Sequence, residues 1–239
     1  MGERRLTVSV CLASYNGEDY IAEQIRSILP QLCSHDELII SDNGSNDATL
    51  KIIFSFKDER IKLVKCIEPG VVKNFELAIK NAKNEILILC DQDDVWLPGR
   101  IDDVLKEHRT SVLVSVGFNV VDANLDKILG VDCVPKLSFL STLIKNRFLG
   151  CSMSFHRSAC SYILPFPANI GMHDWWIALM CLLKGEVTYV SKPLFLYRRH
   201  SKNASPTTEV SKFSIADKIK MRIIMLLAIG FRICKRKKV

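Results

Sequence analysis

Three carboxylates fall within four positions, at Asp91, Asp93 and Asp94, directly after the apolar run Ile86-Leu-Ile-Leu-Cys90 and before Val95-Trp-Leu-Pro98. Like charges this close oppose one another's ionisation unless a cation neutralises them. Carboxylate oxygens suit hard ions such as Mg²⁺ or Mn²⁺, and Mg²⁺ is commonly shared with substrate phosphates. The competing reading is an acidic surface turn, which needs no metal.

The elements around this cluster say where it sits. A short apolar run ending in turn residues reads as a buried strand. In an open α/β sheet, ligands bind beyond the carboxyl ends of the strands. Leu6 to Ala13 reads as a first strand, buried on both faces, with Ser14-Tyr-Asn-Gly17 as its turn. A helix is expected over Asp19–Leu29, ended by Pro30. Glu37–Ser41 is a second strand, delivering Asp42-Asn-Gly-Ser-Asn-Asp47, and Asp47 is placed to N-cap a helix over Ala48–Phe56. A strand over Ile61–Cys66, a helix over Asn74–Ala82 and a strand over Glu85–Cys90 follow. This alternation, with acids at two strand ends, describes a nucleotide-binding α/β half. Neither GxGxxG nor GxxxxGK[ST] occurs, which argues against a dinucleotide fold or P-loop.

Further on, a helix over Arg100–Arg109 and a strand over Val112–Phe118 are expected. Residues 119 to 147 read as irregular, with Asp122, Asp126 and Asp132 in loops. Phe148–Phe155 reads as a strand broken at Gly150, where a ligand or second backbone can approach. A helix opens at Gly171-Met-His-Asp-Trp-Trp176 and runs to Leu183. Glu186–Val190 and Leu194–Tyr197 read as two short strands, and Ser205-Pro-Thr-Thr208 as a linker.

The 239 residues suffice for one large domain or two small ones. The formal charge of +7 is uneven. Residues 209 to 239 hold nine Lys/Arg and two Asp/Glu, leaving 24 basic against 24 acidic residues elsewhere. The charge therefore speaks only of the tail's partner. Nine scattered cysteines without a CxxC, most of them in apolar runs, favour free, buried thiols in a reducing compartment over disulfides or zinc. No signal-peptide h-region or myristoylation pattern is read at the N-terminus, and no apolar run reaches the length of a spanning helix.

Together these stretches resemble glycosyltransferase family 2, in particular its rhamnosyltransferase-like subset. The resemblance is carried by Val8-Ser-Val-Cys-Leu-Ala-Ser-Tyr-Asn-Gly17, Ile39-Ile-Ser-Asp-Asn-Gly-Ser45, Gly70-Val-Val-Lys-Asn-Phe75, Asp91-Gln-Asp-Asp-Val-Trp96, His173-Asp-Trp-Trp176 and Tyr197-Arg-Arg-His200. Each is weak alone; in the family's order, over residues 6 to 205, they are specific. The resemblance implies an inverting enzyme of GT-A fold: three α/β/α layers on a mostly parallel mixed sheet, with a C-terminal helical tail. Residues 1–205 would form the glycosyltransferase domain, 1–98 its nucleotide-sugar donor half and 99–205 its acceptor half, with 206–239 as the tail. The donor would be a nucleotide-diphosphate sugar, dTDP- or UDP-linked, held through Mn²⁺ or Mg²⁺. The acceptor would be a glycan hydroxyl, on a lipid carrier in cell-surface polysaccharide (O-antigen or capsule) assembly.

In the family's terms Asp91-Gln92-Asp93 looks like the DxD motif, with Asp91 towards the ribose, Gln92 beside it and Asp93 on the metal. Asp94 supports the site from behind or caps the next turn. Ala13 and Tyr15 would border the nucleotide, the tyrosine packing on base or ribose unless it is an ordinary turn aromatic. Asp42 matches the first acid of an acidic pair; Asn43 replaces the second and would accept the base N–H without charge assistance. Arg198, Arg199 and Lys73 are diphosphate candidates unless they are solvated loop cations, and His200 is a metal ligand, a diphosphate contact or a solvated loop residue.

Asp174 matches the catalytic base. Apolar walls would raise its pKa, and the faces of Trp175 and Trp176 suit sugar rings; the plainer role is an N-cap for a helix starting near Trp175. A catalytically silent sugar-nucleotide or glycan-binding module of the same fold is the alternative. A metal-dependent phosphatase or nucleotidyltransferase leaves Asp174 unexplained.

Ile215–Ile233 begins amphipathic and turns wholly apolar from Ile223 to Phe231, before Arg232, Lys235, Arg236, Lys237 and Lys238. Such a helix lies in a membrane interface, where anionic lipid attracts each cation by about 1 kcal/mol. The expectation is peripheral contact through residues 215–239 on the cytoplasmic face of the inner membrane; the alternative is a helix docked on the body. Nucleic acid is not an expected partner, because no stacking aromatics interleave the cations.

Overall fold

The strand β1 (Val8–Ser14) is buried along its whole length, as a near-continuous apolar run requires of a central strand. In α1 (Ile21–Ile28), Ile21, Ile25 and Ile28 bury one stripe, and Pro30 sits in the 3₁₀ turn Leu29–Gln31 that ends it. β2 (Glu37–Asp42), α2 (Thr49–Ser55), β3 (Ile61–Lys65), α3 (Val71–Asn81) and β4 (Ile86–Asp91) continue the alternation. Then come β5 (Val95–Trp96), α4 (Arg100–Glu107), β6 (Leu113–Val121), β7 (Lys127–Gly130), α5 (Phe139–Ile144) and β8 (Met153–His156). The chain closes with α6 (Cys160–Ile163), α7 (His173–Leu182), β9 (Val187–Arg198) and α8 (Ile215–Arg236). This computed structural model describes residues 4–130, 137–201, 203 and 214–236. Asp132, Cys133, the expected linker Ser205-Pro-Thr-Thr208 and the basic Lys237-Lys238 lie outside the described residues.

Among the described residues, nine strands form one sheet in the order β3-β2-β1-β4-β8-β6-β9-β5, with β7 paired to β6. β1 to β4 are mutually parallel where they pair, and β6 and β9 form a second long parallel ladder. β8 enters antiparallel between β4 and β6, with Ile88 opposite Ser154. That reversal brings the start of β8, and the 3₁₀ turn Gly150–Ser152 before it, to the carboxyl end of β4. The carboxyl ends of β1, β2, β4 and β9 share this edge of the sheet.

Alternation along the strands divides the core in two. Cys11, Ile39, Leu87, Leu89, Leu113 and Phe155 face a layer that includes residues of α3, α6, α7 and α8. Val10, Leu12, Leu38, Ile40, Ile88 and Val114 face a layer that includes residues of α1, α2 and α4. The result is the expected three-layer α/β/α sandwich on a mostly parallel mixed sheet, with α8 laid on the α7 side.

The structure corrects several local readings. Residues 119 to 147 hold β7 and α5, the latter capped by a reciprocal Ser138–Ser141 pair. Phe148–Phe155 is not one strand, because Gly150–Ser152 winds into a 3₁₀ turn. The two short strands expected between Glu186 and Tyr197 are the single strand β9, in which a register shift against β6 absorbs Pro193. α3 starts at Val71, before Asn74. Asp47 stands outside the N-cap position, held by Ala48, yet it accepts hydrogen bonds from the Thr49 amide (3.0 Å) and hydroxyl (2.5 Å). The eight cysteines among the described residues are free; Cys33 and Cys234 are exposed rather than in the core.

Candidate active site

At the end of β2, Asp42 is buried and its carboxylate is filled by its own neighbourhood. Oδ1 accepts from the Ser14 hydroxyl (3.0 Å) and the Ser45 hydroxyl (2.5 Å), and Oδ2 from the amides of Gly44 (3.0 Å) and Ser45 (2.9 Å). Asn43 turns to the β3–α3 loop, donating to the carbonyls of Cys66 (3.0 Å) and Glu68 (2.8 Å) while its oxygen accepts from the Gly70 amide (2.9 Å). The side chain expected at the nucleobase thus shapes the loop beside it. Lys73, one turn into α3, is paired at 3.3 Å with both Glu68 and Glu76.

Ala13 lies beside Ser41 and Asp91 in the sheet, and Tyr15 beyond it is exposed. Gln92 clasps the Tyr15 backbone, accepting from its amide (2.8 Å) and donating to its carbonyl (3.0 Å). A Cβ on residue 17 would stand 2.3 Å from the Gln92 oxygen, so the clasp requires glycine there.

The turn after β4 is organised differently. Asp93 Oδ2 lies 2.9 Å from His200 Nε2 and accepts from Asn203 Nδ2 at 3.1 Å. The 2.9 Å separation is about that of adjacent donors around an octahedral ion with ligands at about 2.1 Å. The pair fits a divalent cation if the His200 proton resides on Nδ1. His200 is itself stacked on Tyr20, with centroids 4.6 Å apart. Asp94 is 1% exposed; its Oδ1 accepts from the Arg198 amide (3.1 Å) and its Oδ2 has no partner. Burial, followed by the charge of Asp93, pushes the carboxyls of both Asp91 and Asp94 up from the ordinary aspartate range. Donor atoms of Asp91, Asp94 and Cys151 lie within 4.8 Å of one another.

Arg100 stands behind this cluster and is 1% exposed. Its guanidinium lies over the rings of Trp96 (4.2 Å) and Phe195 (4.6 Å) and donates to the Cys151 carbonyl at 2.5 Å. Burial lowers its pKa to about 10, leaving a cation that opposes the upward push on Asp91. Arg198, expected at the diphosphate, instead commits its guanidinium to the Asp93 carbonyl (2.8 Å), the Ala123 carbonyl (2.7 Å) and Glu23, over the face of Tyr20. It staples the acidic turn to α1 and to the end of β9. Arg199 is half-buried and donates its amide to Val121 (2.8 Å).

Asp174 is the second residue of α7, a helix that starts at His173 and whose N-cap, Met172, has no side-chain cap bond. The expected helix start near Trp175 is therefore two residues late. The carboxylate accepts from the Trp175 amide (2.6 Å), and burial raises its pKa to about 6. The flanking tryptophans are core residues and not sugar platforms. Trp175 and Trp176 are 5% and 0% exposed, and their indole N–H groups donate to Thr142 (2.7 Å) and Ile163 (2.8 Å). His173 stacks on Phe75 at 4.3 Å, with its Nε2 unpartnered. A Cβ on residue 150 would stand 2.8 Å from that nitrogen, so glycine lets the Gly150–Ser152 turn approach α7.

That turn joins the two acidic groups. A Cβ on residue 150 would stand 3.7 Å from that of Asp174, the Cys151 sulfur lies within 4.8 Å of carboxylate oxygens of Asp91 and Asp94, and the charge of Asp174 adds to the upward push on Asp91. The acids after β4 and the acid on α7 therefore lie against the same Gly150–Ser152 turn. Arg100, Cys151, Asn203 and Glu23 escape a reading of the sequence, because each takes its place through burial or a distant partner; only the glycine break at 150 signalled that a close approach occurs here.

The family model described as Glycosyl transferase family 2 matches residues 9–164. The Escherichia coli protein named UDP-Glc:alpha-D-GlcNAc-diphosphoundecaprenol beta-1,3-glucosyltransferase WfgD is 28% identical over 145 residues, covering 60% of this chain and 57% of that one. The dTDP-rhamnosyl transferase RfbG of Shigella flexneri is 26% identical over 214 residues, covering 80% and 72%. The crystal structure of S. aureus TarS 1-349 in complex with UDP-GlcNAc superposes with a TM-score of 0.69 at 17% identity, covering 95% of this chain and 69% of that one. The chain spans 59% of the length of the first of its curated relatives. With a family model covering most of the sheet and the acids at its carboxyl edge, the chain belongs to glycosyltransferase family 2.

Proposed function

We propose that the chain is an inverting glycosyltransferase that moves one sugar from a dTDP- or UDP-sugar to a hydroxyl of a lipid-linked glycan in cell-surface polysaccharide assembly. The observation that supports this reading is the Gly150–Ser152 turn, which packs against Asp174 on one side and brings Cys151 to Asp91 and Asp94 on the other. Asp174 takes the proton of the acceptor hydroxyl while the new oxygen–carbon bond forms at the anomeric carbon. The bond from that carbon to the diphosphate breaks on the opposite face. Burial holds Asp174 at a pKa of about 6, high enough to accept a proton and low enough to be ionised at neutral pH.

Asp93 and His200 would hold Mn²⁺ or Mg²⁺, which when bound supplies charge neutralisation at the departing diphosphate. Asp91 faces the ribose, the exposed Tyr15 ring offers a face to the base, and Arg199 and Lys73 remain candidates for the phosphates. Arg198, Asn43 and Asp42 act by holding the loops that form the donor side. The pyrimidine nucleotides named for WfgD and RfbG and present in the TarS complex support the donor class. The diphosphoundecaprenol in the name of WfgD supports a lipid-linked acceptor. Work on such an acceptor puts the enzyme at the cytoplasmic face of a membrane.

The test is transfer from a panel of dTDP- and UDP-sugars, with Mn²⁺ or Mg²⁺ and with chelator, to membrane-extracted glycolipid. Turnover that needs the cation and is lost in Asp174→Asn supports the reading. Turnover that is indifferent to both overturns it.

A further inference from the structure

The helix α8 is apolar on two faces, and the body covers only one of them. Met225 and Ile229 are buried against the α7 layer. Arg222 lies over Trp175 (5.8 Å) and donates to the carbonyl of Ile144, while Arg232 lies over Trp176 (5.3 Å) and donates to the carbonyls of Tyr162 and Leu164, both at 2.8 Å. The helix is therefore clamped to the two residues that follow Asp174. Its outer face carries Ile215, Ile219, Ile223, Leu226, Leu227 and Phe231, between 46% and 78% exposed. These positions recur every three or four residues and form one stripe. Leu140 and Ile144 of the neighbouring α5 are exposed as well, at 66% and 59%. Exposed apolar surface on this scale marks an interaction site.

Charge selects the occupant. Residues 214–236 hold six Lys/Arg and one acid, Asp217. At the carboxyl end of α8 a groove opens against the loop Leu164–Ala168, lined on one side by Phe231 and bordered by Lys184, Arg232 and Lys235. A second copy of the chain would bring two such basic helices together, and like charges oppose that contact. An apolar stripe bordered by cations fits the interface of an anionic bilayer, with acyl chains against the stripe and headgroup phosphates at the cations.

We propose that α8 seats the protein on an anionic phospholipid bilayer, that the groove beside Lys184 and Lys235 receives a lipid phosphate, and that the clamp on Trp175 and Trp176 holds Asp174 at a fixed height above that surface. The seat stands on α8 itself; its use in presenting an acceptor rests on the function proposed above. No described helix is long and apolar enough to cross a membrane, and the seat requires none.

Vesicle co-sedimentation without substrates tests the seat independently of the reaction. The full chain binds phosphatidylcholine vesicles containing phosphatidylglycerol, binds pure phosphatidylcholine weakly, and is released by salt. Lys184→Gln and Lys235→Gln each lower the partition coefficient about fivefold, as expected of one surface cation. Leu227→Asp abolishes binding, with thermal melting and nucleotide binding unchanged as proof of folding. Equal binding to neutral vesicles, or full binding by Leu227→Asp, overturns the proposal. So does a stable dimer that Leu227→Asp dissociates in a chain that ignores vesicles. If vesicle binding behaves as stated while transfer is absent, the seat stands and the proposed function fails.

Discussion

Two acidic turns sit side by side at the carboxyl edge of the sheet, and they are built in opposite ways. At the end of β2, both oxygens of Asp42 are occupied by the hydroxyls and amides of Ser14, Gly44 and Ser45. At the end of β4, Asp94 keeps one buried oxygen without a partner, and Asp93 faces a histidine at the spacing of two metal ligands. An acid whose lone pairs are filled by its own loop holds that loop. On the proposed function, an acid with a buried oxygen left open is where a cation or a substrate would stand. Both turns follow the same pattern of an apolar strand running into aspartate, so sequence assigns both to binding, whereas the hydrogen bonds separate their work.

The sharpest way to break this contrast is at the acid on the far side of the Gly150–Ser152 turn. Asp174→Asn should lower transfer by about 10²–10⁴, the usual worth of a general base, while cation-dependent donor binding survives. The same change removes a buried charge whose pKa burial has raised to about 6. It should therefore raise stability near neutral pH by about 1–3 kcal/mol, read by thermal melting. Asp93→Asn comes next, and should weaken cation-dependent donor affinity by on the order of 10²-fold. Titration calorimetry with and without Mn²⁺ checks it.

The pH dependence follows from Asp174. On the proposed function the reaction needs its carboxylate, so the transfer rate should fall about tenfold per unit as pH drops below about 6. Stability moves the other way. The folded state keeps the Asp174 proton up to about 6, whereas the unfolded chain releases it near 4, so this group's contribution to stability declines as pH rises through that window. A smaller effect on rate is expected at the other turn. Asp42→Ala strands the Gly44 and Ser45 amides and should cost about 1–3 kcal/mol of stability, with cation dependence intact. Loss of cation dependence in that variant would erase the distinction between the two turns.

Much of the fold was legible because the central strands are unbroken apolar runs; β1, β2 and β4 lie within a residue or two of their expected spans. The missed elements are those whose formation depends on partners. β5 is two residues that exist by pairing with β9, and β7 exists by pairing with β6. β9 read as two short strands, while pairing with β6 across a register shift at Pro193 keeps it whole. At the site, the acids, His200 and Asp174 announce themselves by residue type and order. Arg100 does not, because an arginine opening an amphipathic helix reads as solvated until Trp96 and Phe195 close over it. Trp175 and Trp176 read as sugar platforms only while the carbonyls of Thr142 and Ile163 that hold them are unknown.

The central claim is that one cleft divides the labour between a cation-bearing acid and a buried base. A crystal of Asp174→Asn grown with Mn²⁺ and UDP tests it most directly. The account predicts an anomalous manganese peak in contact with Asp93 and the diphosphate, beside the Gly150–Ser152 turn that residue 174 packs against. Manganese bound away from Asp93, or a nucleotide seated outside that cleft, would contradict it.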